Sequence, residues 1–522
     1  MTKVELYDTT LRDGAQSEGI SFSVADKLKI SEKLDELGVH FIEGGWPGAN
    51  PKDMEFFKKI KKLRFKKSKI TAFGSTRHAN SKAKSDKVMK GLLSAETKYI
   101  TIFGKSWDLH VRDVFKVDLE ENLRMIEDSI KFLKANGKIV FYDAEHFFDG
   151  YRQNRDYALK TLKAAEESGA DRIILCDTNG GTVTSQVFET VEDVKTLIKT
   201  PLGIHAHNDC DMAVANSIAA VQAGCIQVHG TVNGYGERCG NANLISVIAN
   251  LKLKLGIDCV SDIELKELTE ISRFVADVCN VKMSDSEPFV GSSAFAHKAG
   301  VHVNAILKNP KTYEHADPNL VGNHRRLLIS ELSGRSTILK KAEDMDLGLE
   351  KGGDKTKKIL KTLQALESEG YHFESAEASL ELLIKRVMNK FKDFFDLDDF
   401  RVIIEKKKGG KMVTEATIKL RVGKELEHTA SLGDGPVNAL DSALRKALKK
   451  FYPSLNEMHL TDYKVRVLDE KEGTAAKVRV LIQSQDKDDS WWTIGVSENI
   501  IEASWQALVD SVEYKLLKDA KK

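Results

Sequence analysis

The run Asp8-Thr9-Thr10-Leu11-Arg12-Asp13-Gly14 closes the first apolar strand candidate of this chain and sets a guanidinium beside a carboxylate. Two adjacent opposite charges alone make an ordinary solvated pair, worth little. Their weight rises with three further polar runs, Asp177-Thr178-Asn179-Gly180, His205-Ala206-His207-Asn208-Asp209 and Gly236-Glu237-Arg238-Cys239-Gly240-Asn241, each closing a strand-like stretch in its turn. His205 and His207 lie two apart, so on a strand both imidazoles face one side. With Asp13 they offer two nitrogens and one carboxylate, coordination positions left open, a set that suits Mg, Mn, Co or Zn without choosing among them. An isolated histidine pair on a strand is more often an accident of packing. A carboxylate expected at the same mouth turns it toward a divalent metal.

An open metal site beside an arginine and a hydroxyl suits a 2-oxo acid, whose keto oxygen and carboxylate chelate the cation. Thr178 can then hydrogen-bond the carboxylate, and Arg12 meets the keto oxygen as it becomes an alkoxide under attack by a carbon nucleophile. Glu145 and a histidine are candidates for moving protons. Each has a plainer reading: Glu145 as a strand-end carboxylate held by a lysine, Thr178 and Asn179 as a turn or helix cap. Farther on, in Ala299-Gly300-Val301-His302-Val303, His302 is a candidate general base, with Tyr313 to orient it or donate a proton. Both equally suit the packing of a connector.

The elements that must position these groups recur regularly. Apolar, β-branched runs stand at Val4–Tyr7, Val39–Glu43, Lys69–Phe73, Tyr99–Phe103, Lys138–Asp143, Arg172–Asp177, Leu202–His207 and Ile226–Asn233. Between them lie amphipathic helical stretches such as Ser23–Leu37 and Leu119–Ala135, stopped by Gly38 and Gly137. Eight βα units without a GxGxxG after the first strand predict a closed (β/α)8 TIM barrel over residues 1–260, and its chemistry belongs at the carboxyl ends of the strands. Arg12, Asp13, Glu145, Thr178, His205, His207 and Asn241 all fall at or just beyond such ends.

Beyond the barrel, Ser261–Val278 reads as a helix and Ser284–Asn323 as a loop-like lid. A lysine-rich helical stretch from Leu327 to about Phe395, broken at Lys351-Gly352-Gly353-Asp354, completes a connector over 261–395. Then the pattern changes. Arg401–Glu405, Lys411–Val422, Tyr463–Leu468 and Ala475–Gln483 alternate like half-buried antiparallel strands, interleaved with helices Val437–Phe451 and Ile500–Leu517. This predicts a separate α+β domain over 396–522.

With 79 basic against 78 acidic side chains, the net charge of +1 supplies no field for nucleic acid or an anionic membrane, and the partner should be a small molecule. Six cysteines without CxxC spacing argue against a zinc knuckle or disulfide framework and are expected to be buried thiols of a reducing compartment. No signal peptide and no membrane-length apolar run is evident, so the chain reads as cytosolic.

Taken together, these segments resemble the 2-isopropylmalate synthase, homocitrate synthase and citramalate synthase family of metal-dependent barrel acyltransferases. Asp8–Gly14 and His205–Asp209 match its two signatures, and Gly236–Asn241 is similar to its glycine-rich loop after the last strand. The resemblance implies Asp13, His205 and His207 as metal ligands, with Asn241 as a further candidate. It implies Arg12 at the oxyanion, Glu145 at the substrate and Thr178 at the oxo acid. The segment Ala294–His302 resembles the one that supplies the family's catalytic histidine, which favours His302 over His297, and Tyr313 matches a tyrosine of the same subdomain. The implied reaction is a Claisen-type condensation of acetyl-CoA with a 2-oxo acid, followed by thioester hydrolysis.

Where isopropylmalate synthases tend to read Val-Gly-Phe-Pro, this chain has Glu43-Gly44-Gly45-Trp46-Pro47-Gly48. That departure resembles the citramalate branch, which implies pyruvate as substrate and isoleucine as effector. The tail run Gly433-Asp434-Gly435-Pro436 resembles the family's amino-acid-sensing domain, and the family implies a homodimer. The same machinery acting on 2-oxoisovalerate, or a lyase of the same barrel group, are the alternatives.

Overall fold

The computed structural model describes residues 3–328, 339–340, 342–343, 353–406, 408, 410–468 and 476–520. Two compact units divide the chain, Met1–Phe295 with His315–Arg325, and Ala296–Glu314 with Arg326–Lys522.

The first unit is the expected barrel. Eight strands, β1 (Glu5–Asp8), β2 (Phe41–Gly45), β3 (Lys69–Ser75), β4 (Tyr99–Lys105), β5 (Ile139–Glu145), β6 (Arg172–Asp177), β7 (Leu202–Ala206) and β8 (Gln227–Gly230), pair in sequence order and close. Closure is made by parallel pairing of β1 with β8, Glu5 opposite Gln227 and Tyr7 opposite His229. The helices start and stop for local reasons. In helix Val24–Glu36, Ser23 and Asp26 form a reciprocal capping box, and Gly38 behind it takes the left-handed φ of 81° that a side chain resists. The lower barrel interior is filled by Tyr7, Phe41 and Phe141. A barrel of this size is packed solid, so reactive groups are confined to the loop end.

After the barrel, the helix expected over Ser261–Val278 forms as two pieces, Asp262–Leu265 and Leu268–Val278. A second capping box, Ser261 with Glu264, starts the first piece.

In the second unit, β9 (Ala296–His297) pairs in parallel with β10 (Arg326–Leu327). Leu327 is therefore in a strand, not at the start of a helix, because its backbone is committed to a ladder. Part of the expected lysine-rich helix, including Lys351 and Gly352, lies outside the described residues. Gly353 is the N-cap of helix Asp354–Ser368. The next helix, Glu377–Val387, ends well short of Phe395, where Asn389 turns to a φ of 56°.

The C-terminal part holds two three-stranded antiparallel sheets, β11 (Asp396–Lys406), β12 (Met412–Val422) and β13 (Glu425–Gly433), then β14 (His459–Val467), β15 (Val478–Gln485) and β16 (Ser490–Ser497). Helix Pro436–Leu448 follows the first sheet and Ile500–Ala520 the second, so a βββα unit occurs twice. Ala416, Ile418 and Leu420 alternate inward from β12 against Leu440 and Leu444 in a shared core. Ala475, expected to begin a strand, lies outside the described residues. No helix among the described residues is long and apolar enough to cross a membrane.

Candidate active site at the barrel mouth

The carboxyl ends of β1, β5, β6 and β7 open into a cavity of about 230 Å³ whose lining includes Arg12, Asp13, Glu145, Thr178, His205 and His207. All six were expected there from the sequence. Asp13 Oδ2 lies 3.2 Å from His205 Nε2 and 4.0 Å from His207 Nε2. His205 is on β7, whereas His207 stands one residue past the strand, where a bridge to Asn241 holds it. The three donor atoms lie within 4.8 Å of one another and all three residues are buried.

Their electrostatics suit a cation. Burial opposes charge on Asp13, but Arg12 and the two histidines outweigh it and hold the carboxyl well below its usual range. Burial, then His205, pushes His207 down to about 3, so it is a neutral imidazole at pH 7. One carboxylate and two imidazole nitrogens with open positions fit a divalent metal. Asn241 presents its amide Nδ2, 3.0 Å from Asp13 Oδ2 and 3.2 Å from His205 Nε2. Among the described residues its buried Oδ1 has no hydrogen-bond partner, so serving as a ligand requires the amide to turn over. A Cβ on Gly236 would stand 1.9 Å from that oxygen and displace it.

Arg12 is pinned from three sides. Its Nε donates to Glu43 Oε1 at 2.5 Å, an Nη lies 3.4 Å from Asp13 Oδ2, and its guanidinium carbon sits 3.8 Å from the centre of the Phe73 ring. Burial works against its charge, but Asp13 and Glu43 together raise its pKa above the ordinary arginine value. Glu145 is ion-paired with Lys105, so the plainer reading of a strand-end carboxylate held by a lysine is realised while Glu145 still faces the cavity. Thr178 Oγ1 accepts the His146 backbone N–H at 2.8 Å, which leaves its hydroxyl proton free for a ligand.

Trp46 also lines the cavity and meets Phe73 and Phe103 edge-on, at 6.0 and 5.7 Å between ring centres. Sequence reasoning missed three partners: Glu43, Asp143 and His229. Each is a titratable residue on the inward face of an otherwise apolar strand, which was the available signal. Burial, chiefly, raises Asp143 to about 7 and holds His229 far below its ordinary value.

His302 and Tyr313 belong to the second unit and stack on each other, ring centres 4.1 Å apart at 29°. His297 is instead paired with Glu314 at 3.3 Å. The tail glycines also separate: Gly433 ends β13, while Gly435 caps helix Pro436–Leu448, with Pro436 in its first turn. The expectation of six buried thiols fails at Cys210 and Cys239, which are exposed. They sit in the loops after β7 and β8, at the mouth rather than in the packed wall.

A closed βα barrel with a carboxylate and two histidines at its strand ends defines the class of metal-dependent barrel lyases and synthases. Residues 3–275 match the HMGL-like family, 289–370 the homocitrate synthase post-HMGL domain-like family and 374–516 the LeuA allosteric (dimerisation) domain. The (R)-citramalate synthases of Aquifex aeolicus and Geobacter sulfurreducens are each 56% identical over 519 residues, covering 99% of this chain and 98% of theirs. A 2-isopropylmalate synthase of Methanocaldococcus jannaschii is 31% identical over 537 residues, covering 99% of this chain and 96% of its own. The chain belongs to the HMGL-like family and, within it, to the (R)-citramalate synthases, acyltransferases that use acetyl-CoA.

Proposed function

We propose that the barrel mouth condenses acetyl-CoA with pyruvate and releases citramalate and CoA, the entry to threonine-independent isoleucine synthesis. The observation that carries this reading is the convergence of Asp13, His205, His207 and Arg12 on one small cavity walled by Trp46 and Phe73. Asp13, His205 and His207 hold a divalent cation, which when bound supplies Lewis acidity to the oxo acid. Arg12, immobilised by Glu43 and Phe73, donates to the keto oxygen as negative charge grows on it. Because the guanidinium is already fixed, no reorganisation is needed in the transition state. Thr178 donates to the pyruvate carboxylate.

His302 removes a methyl proton from acetyl-CoA, with Tyr313 stacked against it to fix the ring and Glu145 assisting. The methyl carbon then bonds to the keto carbon, the keto oxygen gains a proton, and water cleaves the thioester. The labour divides along the chain: 1–260 for catalysis, 261–395 for carrying His302, and 396–522 for sensing an amino acid at Gly433, Gly435 and Pro436. The LeuA-type tail supports an effector and a homodimer, and the citramalate reading makes isoleucine that effector. Exposed apolar side chains on the first tail sheet, among them Ile404, Met412 and Leu432 at 51, 59 and 64% exposure, support an interface there. Free cysteines and small-molecule substrates fit the reducing cytoplasm.

The test is CoA release by the purified chain with acetyl-CoA and Mg or Mn, offering pyruvate, 2-oxoisovalerate or 2-oxoglutarate alone. Strong preference for pyruvate is expected, with loss on chelation. Preference for 2-oxoisovalerate would move the reading to isopropylmalate synthesis, and no release from any of the three would defeat it.

A further inference from the structure

A continuous line of hydrogen-bonding groups runs down the barrel interior from His205 to the opposite end. His205 Nδ1 lies 3.4 Å from His229 Nδ1, and His229 Nε2 lies 3.0 Å from Gln227 Oε1. Gln227 Nε2 reaches Glu5 Oε2 at 3.2 Å, and Glu5 is held by Arg172 at 3.2 and 3.3 Å. The fold aligns these groups. Glu5, Gln227 and Arg172 are the first residues of β1, β8 and β6, and the β7–β8 register sets His205 opposite His229. Gln227 and His229, two apart, both face inward. Tyr7 lies flat against His229, ring centres 3.9 Å apart at 9°, and fixes its plane.

We propose that His229 is a positioning residue for His205, the middle link of a column whose far end, Glu5 with Arg172, dictates which His205 nitrogen carries the proton. The inference rests on the reading of His205 as a metal ligand. Its logic is one of forced polarity. A guanidinium only donates and a carboxylate only accepts. Glu5 therefore takes the NH2 end of Gln227, which turns the Gln227 oxygen toward His229. A neutral His229 must meet that oxygen with Nε2–H, leaving a lone pair on Nδ1. Among the described residues, the hydrogen bond at that lone pair is with His205 Nδ1, which therefore supplies the hydrogen. The His205 Nε2 that meets Asp13 Oδ2 at 3.2 Å is thus the nitrogen whose lone pair a bound cation would take, with the Nδ1 proton donated to His229. The two imidazoles are almost wholly excluded from water, His205 at 5% exposure and His229 at 1%. Solvent offers no substitute partner.

Three variants and one spectroscopic measurement test this on the full chain. Mn(II) affinity is measured by titration calorimetry for wild type, His205→Ala, His229→Leu and His229→Asn. His229→Leu deletes the acceptor, and affinity is expected to fall about 10- to 100-fold, as for other partners of metal-bound histidines. His229→Asn returns an oxygen near the Nδ1 position and is expected to recover most of that loss, which a merely space-filling role would not produce. In Zn(II)-loaded, 15N-histidine-labelled wild type, NMR is expected to find the protons on His205 Nδ1 and His229 Nε2.

Equal affinity of wild type and His229→Leu, equal losses in Leu and Asn, or the proton on His229 Nδ1 overturns the inference. The NMR result decides the matter even where His229→Leu does not fold. Failure of the underlying reading looks different: wild type would bind Mn(II) no better than His205→Ala.

Discussion

Trp46 bears most directly on which oxo acid the site accepts. It stands on the cavity wall against Phe73 and Phe103, and Phe73 carries the Arg12 guanidinium on its face. On the proposed function, bulk at this wall would limit the side chain of the oxo acid, whereas Arg12 and the Asp13 cluster would bind groups that every 2-oxo acid shares. Apolar pockets discriminate by roughly tenfold or more per methylene. Trp46→Leu is therefore expected to raise kcat/KM for 2-oxoisovalerate relative to pyruvate by about tenfold, measured by CoA release at matched metal. An unchanged ratio would place the discriminating wall elsewhere.

Several candidate site residues were legible from type and spacing, because the alternate histidines and the Arg-Asp pair all fall at the ends of strands of one barrel. Glu43 was not. A carboxylate inside an apolar strand has no local signature of its partner, and Arg12 lies 31 residues away in sequence.

At the level of elements, local signals placed helix starts well. Asp86 shows how much one cap can hold. It accepts from the backbone of Val88 and Met89 at the start of helix Lys87–Ser94, and from His78 and Ser81 in the preceding loop. Burial opposes its charge, but the hydrogen bonds from Ser81, His78 and Met89 outweigh it and lower it from 3.8 to about 2. The folded state thus binds this proton less readily than the unfolded chain. The stabilisation is present above pH 3.8 and fades as pH falls toward 2. Asp86→Ala is expected to cost about 1–2 kcal/mol at pH 7 by urea unfolding, and the gap from wild type should narrow across that acid window.

Strands were harder to read. β13 (Glu-Leu-Glu-His-Thr-Ala-Ser-Leu-Gly) and β16, with Gly495 in its interior, did not stand out in the sequence. Their stability comes from pairing with β12 and β15 rather than from their own composition.

At the scale of the whole molecule, the chain joins a barrel to a tail of two βββα units, and the proposed regulation requires both together. Isoleucine added to the full chain is expected to lower the rate of CoA release in a saturable way, and light scattering should report a dimer. A monomer indifferent to isoleucine would leave the tail without its proposed role.

The sequence by itself determined the alternation of eight strands and helices, and it brought out Arg12, Asp13, His205 and His207 as candidates for one barrel mouth. These are encoded locally, in periodicity, caps and motif spacing. Only the tertiary structure decided what stands behind those groups: Glu43 and Phe73 under Arg12, Lys105 on Glu145, and the His229–Gln227–Glu5 column beneath His205. Lateral strand pairing makes these contacts, and barrel closure makes the last of them by bringing β1 against β8, 222 residues apart at Gln227 and Glu5. Such pairings depend on parallel register, and no stretch of neighbouring residues carries register in its own pattern.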